Sequence, residues 1–237
     1  MKLLLISNST NAGQEYLTYP MPHIKKFLAG EVKKVLFIPY AAVSFSYDEY
    51  QKKVQKRFTD LGIEVDSLHN YEPRDRKQAV KDAEAFVVGG GNTFHLLKMM
   101  QQDDILETMR HRCLKEIPYI GWSAGSNAAC PTIKTTNDMP IVEPDSFHAI
   151  NLIRFQINPH YLDANPDGHA GETREMRLEE FMVANPYVYT VGLREGSILK
   201  LENAKFELIG DKSARIFKHG EETKEIAPGD NFDFLFD

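Results

Sequence analysis

Short apolar runs alternate with amphipathic stretches along the first two thirds of the chain, and this alternation limits the folds open to it. Residues 3–7, 34–39, 63–69 and 85–88 are too short for helices and end in polar, glycine or proline positions. Such dense, brief apolar runs fit parallel strands buried on both faces. Between them, residues 24–28 and 47–61 mix charged and apolar side chains at helical spacing. Residues 93–101 predict a helix capped by Asn92, with Phe94, Leu97 and Gln101 on one face. Further strands are expected at 118–122, 152–158 and 187–193, the last two separated by a helix over 172–184. From Ser197 the pattern changes to short strands at 197–202, 205–209, 214–218 and 232–236, divided by turns such as Gly210-Asp211 and Pro228-Gly229. The expected fold is α/β: a mostly parallel, doubly wound sheet with a C-terminal antiparallel β-meander. With 237 residues and no linker, repeat or low-complexity stretch, residues 1–237 are expected to form one domain.

The net charge of −6, without a basic stripe, argues against nucleic acid or an anionic membrane as partner. It leaves small-molecule chemistry as the leading class. Cys113 and Cys130 are too few for a disulfide framework. The apolar run at 3–6 is stopped by Ser7 and Asn8, short of the roughly 7–15 residues of a signal peptide. No stretch approaches the ~18 apolar residues of a membrane span. The expectation is a cytoplasmic protein, a monomer or weak homodimer.

Gly121-Trp122-Ser123-Ala124-Gly125 places a GxSxG sequence between an expected strand and an expected helix. That is the setting of a nucleophile elbow, whose sharp turn crowds its neighbours and so favours glycine two positions either side of the serine. Ser123 is the candidate nucleophile, and the Ala124 N–H faces the place where an oxyanion would form. Gly89-Gly90-Gly91-Asn92 ends another strand just before a helix, where glycines let backbone approach a ligand. Gly90 is the expected second oxyanion donor, with Gly91 close behind. Neither GxGxxG nor GxxxxGK[ST] occurs, so a nucleotide site is not indicated.

A serine nucleophile needs a base. His160 follows Asn158-Pro159 at the end of an expected strand, on the same carboxyl edge as Ser123. His23, His95 and His111 fall in helical stretches and His219 at a C-terminal turn, whereas position does not dismiss His69, His148 or His169. For the orienting acid, Asp138 in a loop and Glu195 after a strand both qualify. Arg174 and Arg177 open the helix after His160. Either they recognise a substrate carboxylate or they pair with Glu175 or Glu179 in solvent. Residues 163–168 copy the start of a calcium-binding EF-hand loop, but its twelfth position is Arg174 and Pro166 interrupts it. No metal and no cofactor is implied.

Together these segments resemble the aspartyl dipeptidase (peptidase E) family of serine peptidases. LLLISNST at the start, VVGGGNTF at 87–94, YIGWSAGSN at 119–127, TTNDMPIV at 135–142, INPHY at 157–161 and GHAGETRE at 168–175 carry the likeness in order. The resemblance implies a fold related to the catalytic domain of class I glutamine amidotransferases, which is flavodoxin-like. It also implies metal-free hydrolysis of small acidic dipeptides with an N-terminal aspartate. By resemblance, Ser123 is the nucleophile and His160 the base, and Asp138 and Glu195 both occupy positions suited to the third member. Arg174 matches a position suited to the aspartyl side-chain carboxylate. Cyanophycinase is a neighbouring family with a similar serine turn. An esterase of the α/β-hydrolase type, with chain order Ser123, Asp138, His160, is a second reading. A non-catalytic binder of acidic metabolites is a third.

Overall fold

The structure is a computed structural model that describes residues 1–237 except 31, 166, 167, 169 and 237. Eleven strands are described: β1 (Leu3–Ile6), β2 (Lys34–Ile38), β3 (Glu64–Ser67), β4 (Phe86–Val88), β5 (Tyr119–Trp122), β6 (Gln156–Tyr161), β7 (Thr190–Arg194), β8 (Ile198–Glu202), β9 (Lys205–Ile209), β10 (Ala214–Phe217) and β11 (Lys224–Ile226). Seven helices accompany them: α1 (Met21–Phe27), α2 (Tyr47–Thr59), α3 (Pro73–Asp82), α4 (Thr93–Gln102), α5 (Leu106–Leu114), α6 (Ala124–Ala128) and α7 (Arg174–Ala184).

The main sheet runs β3-β2-β4-β5-β1-β8-β9. Its first five strands are mutually parallel, and β8–β9 adds an antiparallel hairpin along β1. Because successive strand residues point to opposite faces, Leu3 and Leu5 of β1 join one core while Leu4 and Ile6 join the other. One core takes Ile24 and Phe27 of α1 with Tyr50, Val54 and Phe58 of α2; the other takes Val80 of α3, Leu96 and Met100 of α4, and Met109 and Cys113 of α5. The expected doubly wound, mostly parallel α/β sheet is therefore present.

Local chemistry accounts for the helices that were expected. In α2, Ser46 and Glu49 form a reciprocal capping box, and Tyr50, Val54 and Phe58 repeat every four residues on the buried face. Asn92 caps α4 through the His95 N–H, as expected, although the buried face is Thr93, Leu96, Leu97 and Met100, which leaves Phe94 only partly covered.

Two expectations need correction. The strands at 156–161 and 190–194 do not extend the main sheet; they begin a second, four-stranded sheet ordered β11-β10-β7-β6, packed on the same face as α4 and α5. The C-terminal meander is accordingly divided, with β8–β9 in the main sheet and β10–β11 in the second. Residues Asp233–Phe236 form a 3-10 turn rather than a strand. Aromatic packing holds that turn: Phe234 lies 5.3 Å from Tyr189 and Phe236 4.8 Å from Phe206, centroid to centroid. No pleat is needed to bury them.

Candidate active site

Ser123 joins β5 to α6 with φ 52° and ψ −111°. A non-glycine residue held there costs about 1–3 kcal/mol, which the surrounding bonds must offset. Its N–H donates to Ile6 O at 3.0 Å, and its carbonyl accepts from the N–H groups of Ser126 and Asn127. The Ser126 hydroxyl, buried beneath the turn, bonds Ile6 O at 2.8 Å and Gly121 O at 2.9 Å. The flanking glycines follow from close backbone approach. A Cβ at Gly125 would lie 2.3 Å from Val88 O, and one at Gly121 would lie 2.5 Å from the Gly125 backbone.

The second sheet supplies what faces the serine. His160 lies near the carboxyl end of β6, the edge strand, where Pro159 is tolerated because its missing N–H breaks no ladder. The pairing with β7 shifts register between Pro159 and Tyr161, and His160 has φ 53°. This kink turns the imidazole toward the main sheet. His160 Nε2 is 2.9 Å from Ser123 Oγ, and Nδ1 is 2.6 Å from Glu195 Oε1. A carboxylate on Nδ1 favours the tautomer with the proton there, leaving Nε2 free to accept from the serine hydroxyl. Glu195 directly follows β7. It is flanked by Arg194, clamped by Asp163 and Glu225, and by Gly196, whose N–H donates to Asn8 Oδ1 at 2.8 Å.

Asp138, the other candidate acid, does not reach His160. Its Oδ2 accepts from the Thr93 N–H at 2.7 Å, the Thr93 hydroxyl at 2.5 Å and the Thr136 hydroxyl at 3.1 Å. It thus sits on the amino end of α4, where helix polarity favours a negative charge. There it fastens the loop after α6 to the end of the glycine segment.

That segment closes the other side of the turn. Gly91 has φ 137°, and a Cβ there would lie 2.2 Å from Ala41 O, so only glycine fits. Gly90 and Gly91 line one cleft with Ser123 and His160. Among the described residues, the N–H groups of Gly90, Gly91 and Ala124 have no hydrogen-bond acceptor, so all three are free for a ligand oxygen.

Arg174 opens α7 and donates to Asn137 Oδ1. Asn137 in turn donates to Pro159 O at 2.6 Å and accepts from Asn158 Nδ2 at 2.6 Å, which ties the guanidinium to the strand carrying His160. The solvated pairing with Glu175 is not what forms: Glu175 bonds Arg215, and Arg177 lies 3.7 Å from Glu172. Arg174 has no carboxylate within 4.0 Å among the described residues. Burial, with Arg177 nearby, lowers its pKa, and the guanidinium remains a cation at any ordinary pH.

Among the described residues, no other histidine bonds Ser123. His95 bonds Tyr40 O, His69 bonds Ser67 and Asp48, and His111 lies beside Glu107. His23 lines a different cavity, His148 pairs in an isolated bridge and His219 is exposed at a turn. His169 lies outside the described residues, as do Pro166 and Asp167 of the EF-hand-like segment. Asp163 of that segment bonds Arg194 instead. Both cysteines are buried, and desolvation pushes each thiol up to about 12, so neither offers a thiolate.

Three site residues escaped the sequence reading. Ser7 accepts the His160 N–H, Asn8 holds Gly196, and Tyr19 donates to Asn8 Oδ1 at 2.8 Å. Their one sequence signal was a polar Ser7-Asn8 pair ending an apolar strand on the carboxyl edge, where ligands of open α/β sheets bind.

The profile of Peptidase family S51 matches residues 3–209. A protein of Nostoc sp. named Peptidase E is 54% identical over 236 residues, which is 100% of this chain and 97% of that protein. A Peptidase E of Salmonella typhimurium is 44% identical over 232 residues, 98% of this chain and 100% of that one. Among solved structures, a peptidase from an acI-B1 Actinobacterium aligns with a TM-score of 0.68 at 18% identity, over 98% of this chain and 96% of that chain; at that identity the likeness speaks to fold. Matched by the family profile over most of its length and by relatives above 40% identity from end to end, the chain belongs to Peptidase family S51 and is a serine-type peptidase.

Proposed function

We propose that the chain is a dipeptidase that cleaves Asp-Xaa dipeptides through a Ser123 acyl-enzyme. The observation that carries this reading is a half-buried cation tied through Asn137 and the Pro159 carbonyl to the strand of a hydrogen-bonded Ser–His–Glu relay. Arg174 is held by a neutral amide and leaves its charge for a substrate carboxylate, and a guanidinium suits that group because it can bind it through two parallel bonds. The net charge of −6 would repel an acidic substrate at long range, so a local cation has to supply the attraction. Relatives named Peptidase E support the same assignment.

In this reading Glu195 holds His160, and His160 takes the Ser123 proton as Oγ attacks the aspartyl carbonyl. The oxyanion that forms is met by the Ala124 N–H and by that of Gly90 or Gly91. His160 then protonates the leaving amine, and water attacks the ester by the same route in reverse, releasing aspartate. The esterase alternative required Asp138 on the imidazole, between the serine and the histidine in chain order. The bonds of Asp138 to Thr93 remove its support. We place the protein in the cytoplasm. The support is two free thiols, and no described helix is long and apolar enough to cross a membrane.

A dipeptide panel tests the proposal. Asp-Leu is expected to be hydrolysed, with Glu-Leu, Asn-Leu and Leu-Leu far behind, and Ser123→Ala is expected to abolish turnover while the fold persists. Equal turnover of Leu-Leu would sink the aspartyl assignment.

A further inference from the structure

The cleft in front of Ser123 has a volume of 270 Å³, and Arg174 is not part of its lining. Arg174 meets the relay through Asn137 and Pro159 instead, so the cleft is not where it would hold a substrate side chain. Pockets for drug-sized ligands run to roughly 300–1,000 Å³, so this one suits a single residue better than a chain.

Its walls are largely aromatic, and among the described residues that line it Lys53 is the one Lys or Arg. Tyr50 is committed to the fold: its hydroxyl donates to Gly90 O at 2.9 Å and accepts from Trp122 Nε1 at 3.1 Å. The ring of Phe45 stands edge-on to Tyr50, 5.2 Å away, yet Phe45 is 43% exposed. An aromatic left open at a catalytic cleft offers apolar surface to a ligand. Lys53 Nζ lies 4.1 Å from the Tyr16 ring centroid and has no carboxylate within 4.0 Å among the described residues. Its neighbour on α2, Arg57, is by contrast paired with Glu15 at 3.2 Å.

We propose that this cleft binds the leaving residue of the dipeptide, with Lys53 pairing with its free C-terminal carboxylate and Phe45 and Tyr16 flanking its side chain. The proposal rests on the dipeptidase reading above and gives that reading a length gauge. A dipeptide carries a carboxylate one residue beyond the scissile bond; a longer peptide has there a neutral amide and more chain, which meets Lys53 and helix α2. Two cations, Arg174 for the first residue and Lys53 for the second, would together select an acidic substrate two residues long.

The test compares wild type, Lys53→Met and Lys53→Arg on Asp-Leu, Asp-Leu-amide and aspartyl p-nitroanilide, the last two lacking the carboxylate. Wild type is expected to prefer Asp-Leu over Asp-Leu-amide by at least tenfold in kcat/KM. Lys53→Met is expected to collapse that preference, mostly through KM, and Lys53→Arg to restore it in large part. Phe45→Ala is expected to raise KM for Asp-Leu more than for Asp-Gly. A preference that survives Lys53→Met, or equal losses on all three substrates, overturns the proposal while leaving the dipeptidase reading intact. A wild type inactive on all three overturns both.

Discussion

The hydroxyl of Ser7 accepts the backbone N–H of His160 at 2.9 Å while donating to Leu193 O at 2.7 Å. Ser7 ends the first strand of the main sheet and is fully buried; His160 and Leu193 lie on neighbouring strands of the second sheet. One side chain therefore fastens the sheet that carries the serine to the sheet that carries the base. It also satisfies an N–H that the kink at His160 has turned out of the ladder.

Ser7→Ala would take the acceptor from the part-buried His160 N–H and a donor from the buried Leu193 O, where an unsatisfied buried group costs about 1–3 kcal/mol. The expected outcome is a lower melting temperature together with a fall in kcat of at least tenfold and a KM within about twofold of wild type. Thermal unfolding and steady-state kinetics on Asp-Leu check it. Unchanged kcat in a destabilised variant would restrict Ser7 to holding the sheets together.

Glu195→Gln and Asp138→Asn separate the two carboxylates that the sequence left open. Glu195 touches the imidazole, so its amide variant is expected to lose kcat by several orders of magnitude, comparable to the ~10⁴ known for an acid-to-amide change in another serine relay. Asp138 meets the amino end of α4, where a carboxylate contributes about 0.3–1 kcal/mol through the helix dipole. Asp138→Asn should lower the melting temperature by a few degrees and kcat far less than Glu195→Gln does. A kcat loss at Asp138 matching that at Glu195 would contradict the geometry.

Arg174→Met removes the cation tied to Asn137, and its effect should depend on the substrate. KM for Asp-Leu is expected to rise by one to two orders of magnitude, and the discrimination between Asp-Leu and Asn-Leu to vanish. Arg174→Lys should recover only part of it, because an ammonium lacks the planar fork. Retained discrimination in Arg174→Met would move the recognition of the aspartyl carboxylate elsewhere.

Acid stability should depend in part on the cluster behind Glu195. The hydrogen bond from Arg194, with help from Arg215, holds the Glu225 carboxyl below its usual range, and Arg194 does the same for Asp163. A carboxylate whose pKa is depressed in the folded state stabilises it above the unfolded value, about 4.3 for Glu, and that contribution is lost as pH falls through the folded value. The side chains of Glu225 and Asp163 are 42% and 57% exposed, so solvent screens the pairs and the effect is modest. Glu225→Gln is expected to lower the melting temperature at pH 7 and to converge with wild type near pH 3. Parallel curves across that range would exclude the cluster as a source of acid sensitivity.

Burial decides which elements of this fold show in the sequence. Strands β1, β2, β4 and β5 were legible within two residues because each is buried on both faces and carries an unbroken apolar run. Helix α3 was missed because Val80 is its one fully buried residue, which leaves no periodic stripe to detect. Residues Asp233–Phe236 resembled a strand because alternating aromatics also fit a turn packed on Tyr189 and Phe206.

For the site, the sequence by itself determined whatever depends on adjacent residues. The turn at Ser123 needs glycine at 121 and 125 to escape backbone collisions, and the capped glycine segment before α4 is likewise local chemistry. Only the tertiary structure decided which acid meets His160. Asp138 lies in a loop and Glu195 just after a strand, and both positions suit an orienting acid, so the local sequence does not choose between them. The choice follows from parallel pairing of β6 with β7, which puts residue 195 beside residue 160, and from the α4 terminus, which takes Asp138. Both contacts join segments remote in sequence, 35 and 45 residues apart, and they depend on strand pairing and on the placing of a helix end, which no local pattern encodes.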